Sequence, residues 1–254
     1  MNIVIATEYE SLRAQIESVP GIVDTGECKV LYNGRNRIVQ FEPVAGVSLV
    51  VKKHKCHGFF KSLVYTFFRP SKARRSFENA VELRKRGFET PHEVAYIEEK
   101  SCGLITQVYY ICAYTSKAPI RPELIDKEPF DKELATAYAQ YVASMHGAGV
   151  LHRDLNPTNV LYGKVGDGYT FELIDINRMK FYNGEVPKRV CMENLTLFWW
   201  LTDVYRYILD TYAAARGWQQ KDVDEAVKVK QHHDSSWVRR KKITGFFKHY
   251  LLGK

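Results

Sequence analysis

The sequence predicts an α+β chain of two lobes, a small β-rich lobe over residues 1–112 followed by a mainly helical lobe over residues 113–254. Three observations lead there. Lys29-Val30-Leu31-Tyr32 and Arg37-Ile38-Val39-Gln40-Phe41 flank Asn33-Gly34-Arg35-Asn36, and Asn-Gly between two apolar runs signals a β-hairpin. From about Ala113 the pattern changes from strands to helical spacing. Pro119, Pro122 and Pro129 mark a connector just beyond that change.

Taken in order, residues 8–18 read as a short helix ending at Pro20-Gly21. The hairpin follows, then a third strand in Val47-Ser48-Leu49-Val50-Val51-Lys52. Residues 72–86 form a helix stopped by Gly87, with Pro91 beyond. Strands at 93–98 and 103–112 are joined by a turn near Lys100-Ser101. Asp131 is a fitting N-cap for a helix through Met145, whose apolar face is Leu134, Tyr138, Tyr141, Val142 and Met145. Strands around 159–162 and 170–174 come next, then an apolar, aromatic helix over 193–215 in which Phe198-Trp199-Trp200 belongs to the core. A last helical stretch closes the chain.

The chain has 254 residues, of which 45% are hydrophobic, enough for a well-buried core. No apolar run reaches the roughly 18 residues of a membrane-spanning helix. The first residues lack a basic segment with a long apolar stretch behind it, so no secretory signal is expected. The five cysteines are scattered without a C-x-x-C pair, which suits a reducing compartment. A net charge of +8 calls for an anionic partner.

The chemistry sits in His152-Arg153-Asp154-Leu155-Asn156-Pro157-Thr158-Asn159, which follows Met145-His146-Gly147, and in Leu173-Ile174-Asp175 further on. A loop Asp, a loop Asn five residues later and an Asp after an apolar strand form the base-and-metal constellation of a phosphotransferase. Phosphoryl transfer requires phosphates held in line, their charge neutralised and a hydroxyl oriented for attack. Asp154 would orient or deprotonate that hydroxyl. Asn159 and Asp175 would offer hard oxygens to a magnesium ion. Lys52, at the end of its strand, would reach the phosphates of ATP and be held by a carboxylate of the following helix, Glu78 first and Glu82 second. Lys53 competes with Lys52, but strand alternation turns it to the other face.

The chain resembles the Kdo/heptose lipopolysaccharide kinase family, a branch of the protein-kinase-like superfamily close to the RIO-type kinases. The resemblance is carried by Val50-Val51-Lys52, by Ser71-Lys72-Ala73-Arg74-Arg75-Ser76-Phe77-Glu78 with Leu83, Gly87 and Thr90-Pro91, and by the two segments around Asp154 and Asp175. It implies a two-lobed protein-kinase-like fold. It further implies transfer of the ATP γ-phosphate to a Kdo or heptose hydroxyl of the lipid A–inner-core glycolipid, on the cytoplasmic face of the inner membrane. Carried over residue by residue, Lys52 and Glu78 position phosphates, Asp154 is the base, and Asn159 and Asp175 hold Mg2+.

Departures from the superfamily pattern qualify that picture. No G-x-G-x-x-G covers the phosphates; Gly34 alone sits in the first hairpin. The usual Asp-Phe-Gly reads Asp175-Ile176-Asn177, so the carboxylate is kept and the Gly hinge is lost. Asn156 stands where many protein kinases carry Lys, leaving Arg153 or another basic residue to supply that charge. No Ala-Pro-Glu follows Asp175, which leaves little platform for a protein substrate and favours a small or glycolipid acceptor.

Two basic-aromatic stretches remain. One runs from Lys55 to Arg69 as an insertion between strand and helix. The other is the tail, where Ile243, Phe246, Phe247, Tyr250 and Leu251 share a helical face beside Arg239, Arg240, Lys241, Lys242 and Lys248. Either could lie on an anionic membrane surface, or pack its aromatics on the domain. No nucleic-acid motif is present, so no such partner is expected. His54, Cys56 and His57 are close enough to suggest a metal, but no second cluster exists to complete a site. Competing readings are a kinase for a protein or a small soluble alcohol, and a membrane-associated pseudokinase scaffold; intact Lys52, Asp154, Asn159 and Asp175 argue against the scaffold.

Overall fold

The computed structural model describes residues 1–252 except 27, 35, 45, 56 and 57; at 43, 44, 55 and 242–252 it describes the backbone element alone. The chain divides into two units, Met1–Lys117 with Glu172–Met179, and Ala118–Phe171 with Lys180–Lys254. The first unit runs to Lys117, and a short later segment returns to it.

The first unit is built on a six-stranded antiparallel sheet. Its strands are β1 (Asn2–Ile5), β2 (Lys29–Asn33), β3 (Arg37–Val44), β4 (Val47–Lys55), β5 (Glu93–Ser101) and β6 (Leu104–Ala113), in the order β1-β5-β6-β4-β3-β2. Strand β1 is absent from the sequence reading. Its four residues are too few to display a period, and pairing with β5 is what makes them a strand. The helix expected over 8–18 begins as a 3-10 segment, Thr7–Leu12, and becomes α1 at Arg13–Ile22, running past Pro20. Its Ile16 and Val19 pack with Leu49, Val51, Ile97 and Ile111 into one buried cluster. Each such side chain contributes about 1.5–3 kcal/mol on leaving water.

The turn between β5 and β6 lies at Cys102-Gly103, not at Lys100-Ser101. Ser101 pairs with Leu104, and both intervening residues have positive φ (50° and 79°), as a two-residue hairpin with right-handed strand twist requires. The stretch read as an insertion between strand and helix contains α2 (Phe59–Phe67). Helix α3 (Lys72–Lys85) starts where Ser71 Oγ accepts the Arg74 N–H at 3.1 Å. It ends in a Schellman turn: Gly87 (φ 82°) donates to the Arg84 carbonyl at 2.9 Å and Phe88 to that of Leu83 at 3.1 Å.

The returning segment is tied to the first unit by backbone and side chains. Leu173 N–H donates to the Glu89 carbonyl at 2.9 Å, and Lys117 Nζ pairs with Glu172 at 2.8 Å.

The second unit holds β7 (Ala118–Pro119), α4 (Arg121–Leu124), α5 (Lys132–Gly147), β8 (Val150–Leu151), β9 (Val160–Val165), β10 (Gly168–Leu173), β11 (Lys180–Phe181), α6 (Lys188–Leu195), α7 (Asp203–Ala215) and α8 (Gln220–Leu252). Strand β10 runs on into the first unit at its last two residues. Asp131 caps α5 by accepting the Leu134 N–H at 3.0 Å. The helix buries Leu134, Tyr138, Val142 and Met145, the face its spacing marks out.

The single helix expected over 193–215 is two helices, α6 and α7, with Phe198-Trp199-Trp200 in the turn between them. Groups on α8 satisfy that turn in place of helix bonds. Lys230 Nζ donates to the Thr196 carbonyl at 3.0 Å, and Leu201 N–H donates to Asp234 Oδ2 at 3.3 Å. Of the three rings only Phe198 is deeply buried, 5.3 Å centroid to centroid from Tyr138.

Among the described residues no helix is long and apolar enough to cross a membrane, and Cys28, Cys102, Cys112 and Cys191 are free thiols. Cys56 and His57 lie outside the described residues, as do the tail side chains from Lys242 onward.

Candidate active site

In the first unit, alternation along β4 sends consecutive lysines to opposite faces. Lys53 joins the buried side, where its ammonium pairs with Asp24 and lies 5.8 Å from the Tyr109 ring. Lys52 takes the other face and donates to Asp175 Oδ1 at 2.7 Å. The Lys52 pair is partly buried, so water screens it less than a surface pair.

Asp175 has φ 57° and ψ 41°, the left-handed region that a side chain with a local hydrogen bond can adopt. That bond comes from Asn177, whose Nδ2 donates to Asp175 Oδ1 at 2.7 Å while its side chain is buried. The residue that replaces the expected glycine thus fastens the carboxylate. Helix α3 secures the same segment: Arg75 Nη1 donates to the Asn177 carbonyl at 3.0 Å and Asn79 Nδ2 to that of Ile176 at 2.7 Å.

Glu78 and Glu82 are not joined to Lys52, a correction to the expected lysine–glutamate pair. Glu78 accepts from Arg74 at 2.7 Å on the exposed face of α3, and Glu82 accepts from Arg86 at 2.8 Å. Helical geometry explains this: each Glu has an arginine four residues away on its own surface, while Asn79 and Arg75 face the Asp175 segment. Gly34 lies in the β2–β3 turn, its N–H donating to the Asn36 carbonyl at 3.1 Å. A Cβ there would meet the Tyr32 ring. His54 is buried with Nδ1 2.9 Å from Asn36 Oδ1.

In the second unit, β8 and β9 bracket the loop from His152 to Asn159. His152 Nδ1 accepts the Asp154 N–H at 3.2 Å, which places Nδ1 as the unprotonated nitrogen. The Asp154 carbonyl receives the Asn156 N–H at 2.9 Å and Asn159 Nδ2 at 2.9 Å. With its amide nitrogen so committed, Asn159 turns its oxygen the other way. Asn156 Nδ2 lies 3.3 Å from Asp154 Oδ1, and its own oxygen accepts both the N–H and the hydroxyl of Thr158. Arg153 is exposed and the Asp154 side chain is half-buried.

Behind the loop runs a buried relay that sequence reasoning missed. The Tyr212 hydroxyl donates to His146 Nδ1 (2.8 Å), His146 Nε2–H to Asn194 Oδ1 (3.0 Å), and Asn194 Nδ2 to the His152 carbonyl (2.9 Å). Burial pushes the His146 pKa down to about 4, so the ring is neutral at pH 7 and donates and accepts as this chain of bonds needs. The only sequence signal was a polar residue, Asn194, inside an otherwise apolar helix face.

A family profile described as lipopolysaccharide kinase (Kdo/WaaP) matches residues 32–228. The chain belongs to this family. It is accordingly a kinase of lipopolysaccharide core biosynthesis that phosphorylates a sugar hydroxyl, and kinase membership implies ATP as donor. The family member is 25% identical over 170 residues to the 3-deoxy-D-manno-octulosonic acid kinase of Vibrio vulnificus strain YJ016, covering 59% of this chain and 72% of the relative. The enzyme of the same description from strain CMCP6 is 24% identical over the same shares. A solved structure of WaaP in complex with acyl carrier protein superposes with a TM-score of 0.59 at 21% identity, over 95% of this chain and 98% of that one. The fold is therefore the protein-kinase-like one.

Proposed function

We propose that this lipopolysaccharide kinase transfers the γ-phosphate of ATP to a hydroxyl of a Kdo residue on the lipid A–inner-core precursor. The observation that carries the assignment of the base is the loop geometry. Asp154 is fixed through its own backbone by His152, Asn156 and Asn159, and among the described residues no ion pair consumes its carboxylate. In the reaction the sugar oxygen bonds to the γ-phosphorus as the bridging oxygen leaves with ADP, and the hydroxyl proton passes to the Asp154 carboxylate. Lys52, held by Asp175, would meet the phosphates of ATP with a charge already oriented. Gly34, with no side chain in the first hairpin turn, would let backbone N–H groups approach them. Arg153 would add charge beside the transferred group in place of the missing lysine. The choice of Kdo over heptose rests on the two Vibrio vulnificus relatives, which are 3-deoxy-D-manno-octulosonic acid kinases.

Magnesium suits the donor set. Asp175 offers a carboxylate, and Asn159 an amide oxygen whose partner nitrogen is already bonded, both hard oxygens of the kind this ion selects. When bound, the ion would offset the charge of the ATP phosphates. Glu78 lies outside this machinery.

A glycolipid acceptor sits in a membrane, and the first basic-aromatic stretch supports docking there, on the cytoplasmic face of the inner membrane. Helix α2 packs Tyr65 on the domain but leaves its phenylalanines in solvent: Phe60 is 81% exposed and Phe68, at its C-terminus, 78%, with Phe59 and Phe67 also largely exposed. No Asp or Glu occurs between Glu42 and Glu78, while Lys61, Arg69, Lys72, Arg74 and Arg75 do. An aromatic helix set among cations fits an anionic bilayer surface.

The test is ADP release with Mg-ATP, with and without a Kdo-bearing lipid A acceptor, for the wild type and Asp154→Asn. Stimulation by the acceptor, at least 100-fold lower in the variant, with phosphate recovered on Kdo, is the expected result. Stimulation only by a heptosylated acceptor would overturn the choice of sugar.

A further inference from the structure

Beside the loop that carries Asp154 lies a cavity of about 300 Å³, formed wholly within the second unit. Asn156 supplies one wall, the turn between α6 and α7 a second, and α8 the third. We propose that this cavity is the acceptor subsite and takes the pyranose ring of the acidic sugar to be phosphorylated. The proposal rests on the sugar-kinase reading above and names where that substrate sits.

Four observations carry it. The first is the pair of indoles. Trp200, from the turn, and Trp237, from α8, meet edge to face with centroids 4.8 Å apart, yet remain 37% and 39% exposed. Two tryptophans from separate elements, left open to solvent, are costly unless something covers them. An indole offers an apolar face to the C–H side of a sugar ring and leaves its hydroxyls free for directed bonds.

The second is that the polar groups around the indoles are few and placed. Asn156 lines the cavity and touches Asp154 Oδ1, so a ring held there has a hydroxyl near the carboxylate. His233 and Asp234 line it as well.

The third is that the walls are fixed before any ligand arrives. Lys230 is 1% exposed, and its ammonium bonds both the Thr196 carbonyl at 3.0 Å and Asp234 Oδ1 at 2.8 Å. The second oxygen of Asp234 accepts the Leu201 N–H. One buried ion pair therefore clamps the tryptophan-bearing turn to α8, and a preorganised site loses less entropy on binding.

The fourth is charge. Lys241 Nζ lies 5.1 Å from the Trp237 ring. That ammonium sets a positive charge beside the aromatic wall, as a carboxylated sugar requires, and the wall itself is mostly apolar, as a ring face requires.

The experiment uses full-length protein and a water-soluble acceptor made by removing every acyl chain from a Kdo-bearing glucosamine disaccharide. Acceptor KM and ATP KM are measured for the wild type, Trp200→Ala, Trp237→Ala and Trp200→Phe. Acceptor KM is expected to rise about fivefold to tenfold in each alanine variant and to recover largely in Trp200→Phe, with ATP KM unchanged. A rise seen only with the fully acylated acceptor would overturn the proposal, because the cavity would then hold an acyl chain. Tryptophan fluorescence titration with the same soluble acceptor, without ATP, separates this proposal from the reading beneath it. Binding by the wild type that is lost in the alanine variants, without turnover, would remove the kinase reading and keep the subsite. Turnover with unchanged acceptor KM in both alanine variants would remove the subsite and keep the kinase reading. Neither binding nor turnover would remove both.

Discussion

The ammonium of Lys52 lies 2.7 Å from Oδ1 of Asp175, a residue 123 positions further along the chain. The carboxylate is presented from a left-handed backbone that Asp and Asn tolerate and Ala does not. Two substitutions therefore separate its charge from its conformation. Asp175→Asn should fold with wild-type stability and lose at least 100-fold in kcat. Asp175→Ala should lose the same activity and, in addition, about 1 kcal/mol in urea unfolding. Equal stability of the two variants would show that the backbone there is not strained.

Helix α3 reaches the Asp175 segment through Asn79 and Arg75, not through a glutamate. Glu78→Gln breaks only an exposed pair with Arg74, worth well under about 1 kcal/mol, and should stay within about twofold of wild-type activity. Asn79→Ala removes the bond to the Ile176 carbonyl and should lower kcat about tenfold. Kinetics of the two side by side decide the matter, and a large loss in Glu78→Gln would restore the lysine–glutamate pair to the mechanism.

His146 makes stability depend on pH. Its folded pKa of about 4 lies below the ordinary histidine value, because burial disfavours the imidazolium. Between about pH 6.5 and pH 4 the unfolded chain binds a proton that the folded chain refuses, so stability falls as pH falls through that window. The full effect is on the order of 3 kcal/mol. Urea unfolding at pH 7 and pH 5 should show a steeper decline for the wild type than for His146→Gln. Parallel declines would mean the buried ring is not the titrating group.

Phe60 and Phe68 are too exposed to support the fold, so Phe60→Ser and Phe68→Ser should leave thermal unfolding unchanged. Co-sedimentation with vesicles rich in anionic phosphatidylglycerol should drop about tenfold in the double variant, and the wild type should bind zwitterionic vesicles weakly. Undiminished binding by the variant would move the membrane contact to another element.

Much of this was legible from sequence because it is local. The Asn-Gly hairpin, the Asp131 cap and the Gly87 stop all depend on neighbours within a few residues. Within the loop from His152 to Asn159 the bonds that shape Asp154 run between residues two to five apart. What escaped depends on distant partners. Strand β1 exists only because β5 pairs with it. The helix expected over 193–215 breaks because Lys230 and Asp234, some thirty residues later, satisfy the turn's backbone. The partner expected for Lys52 was a nearby glutamate, and α3 turned that face outward toward its own arginines. The aromatic insertion proved helical, with its phenylalanine rings in solvent, a result that composition alone left open.

The return of residues 172–179 to the first unit has a bearing on how the protein is made. When Lys117 leaves the ribosome the sheet is complete, but the anchor for Lys52 has not yet been synthesised. Roughly 55 further residues, from 117 to 172, must be added first, several seconds of translation at about 5–20 residues per second. The nascent N-terminal half thus carries an unanchored lysine until the first stretch of the second unit, Ala118–Phe171, has been made. The two halves cannot be expressed as independent fragments cut at residue 117 without parting Lys52 from Asp175.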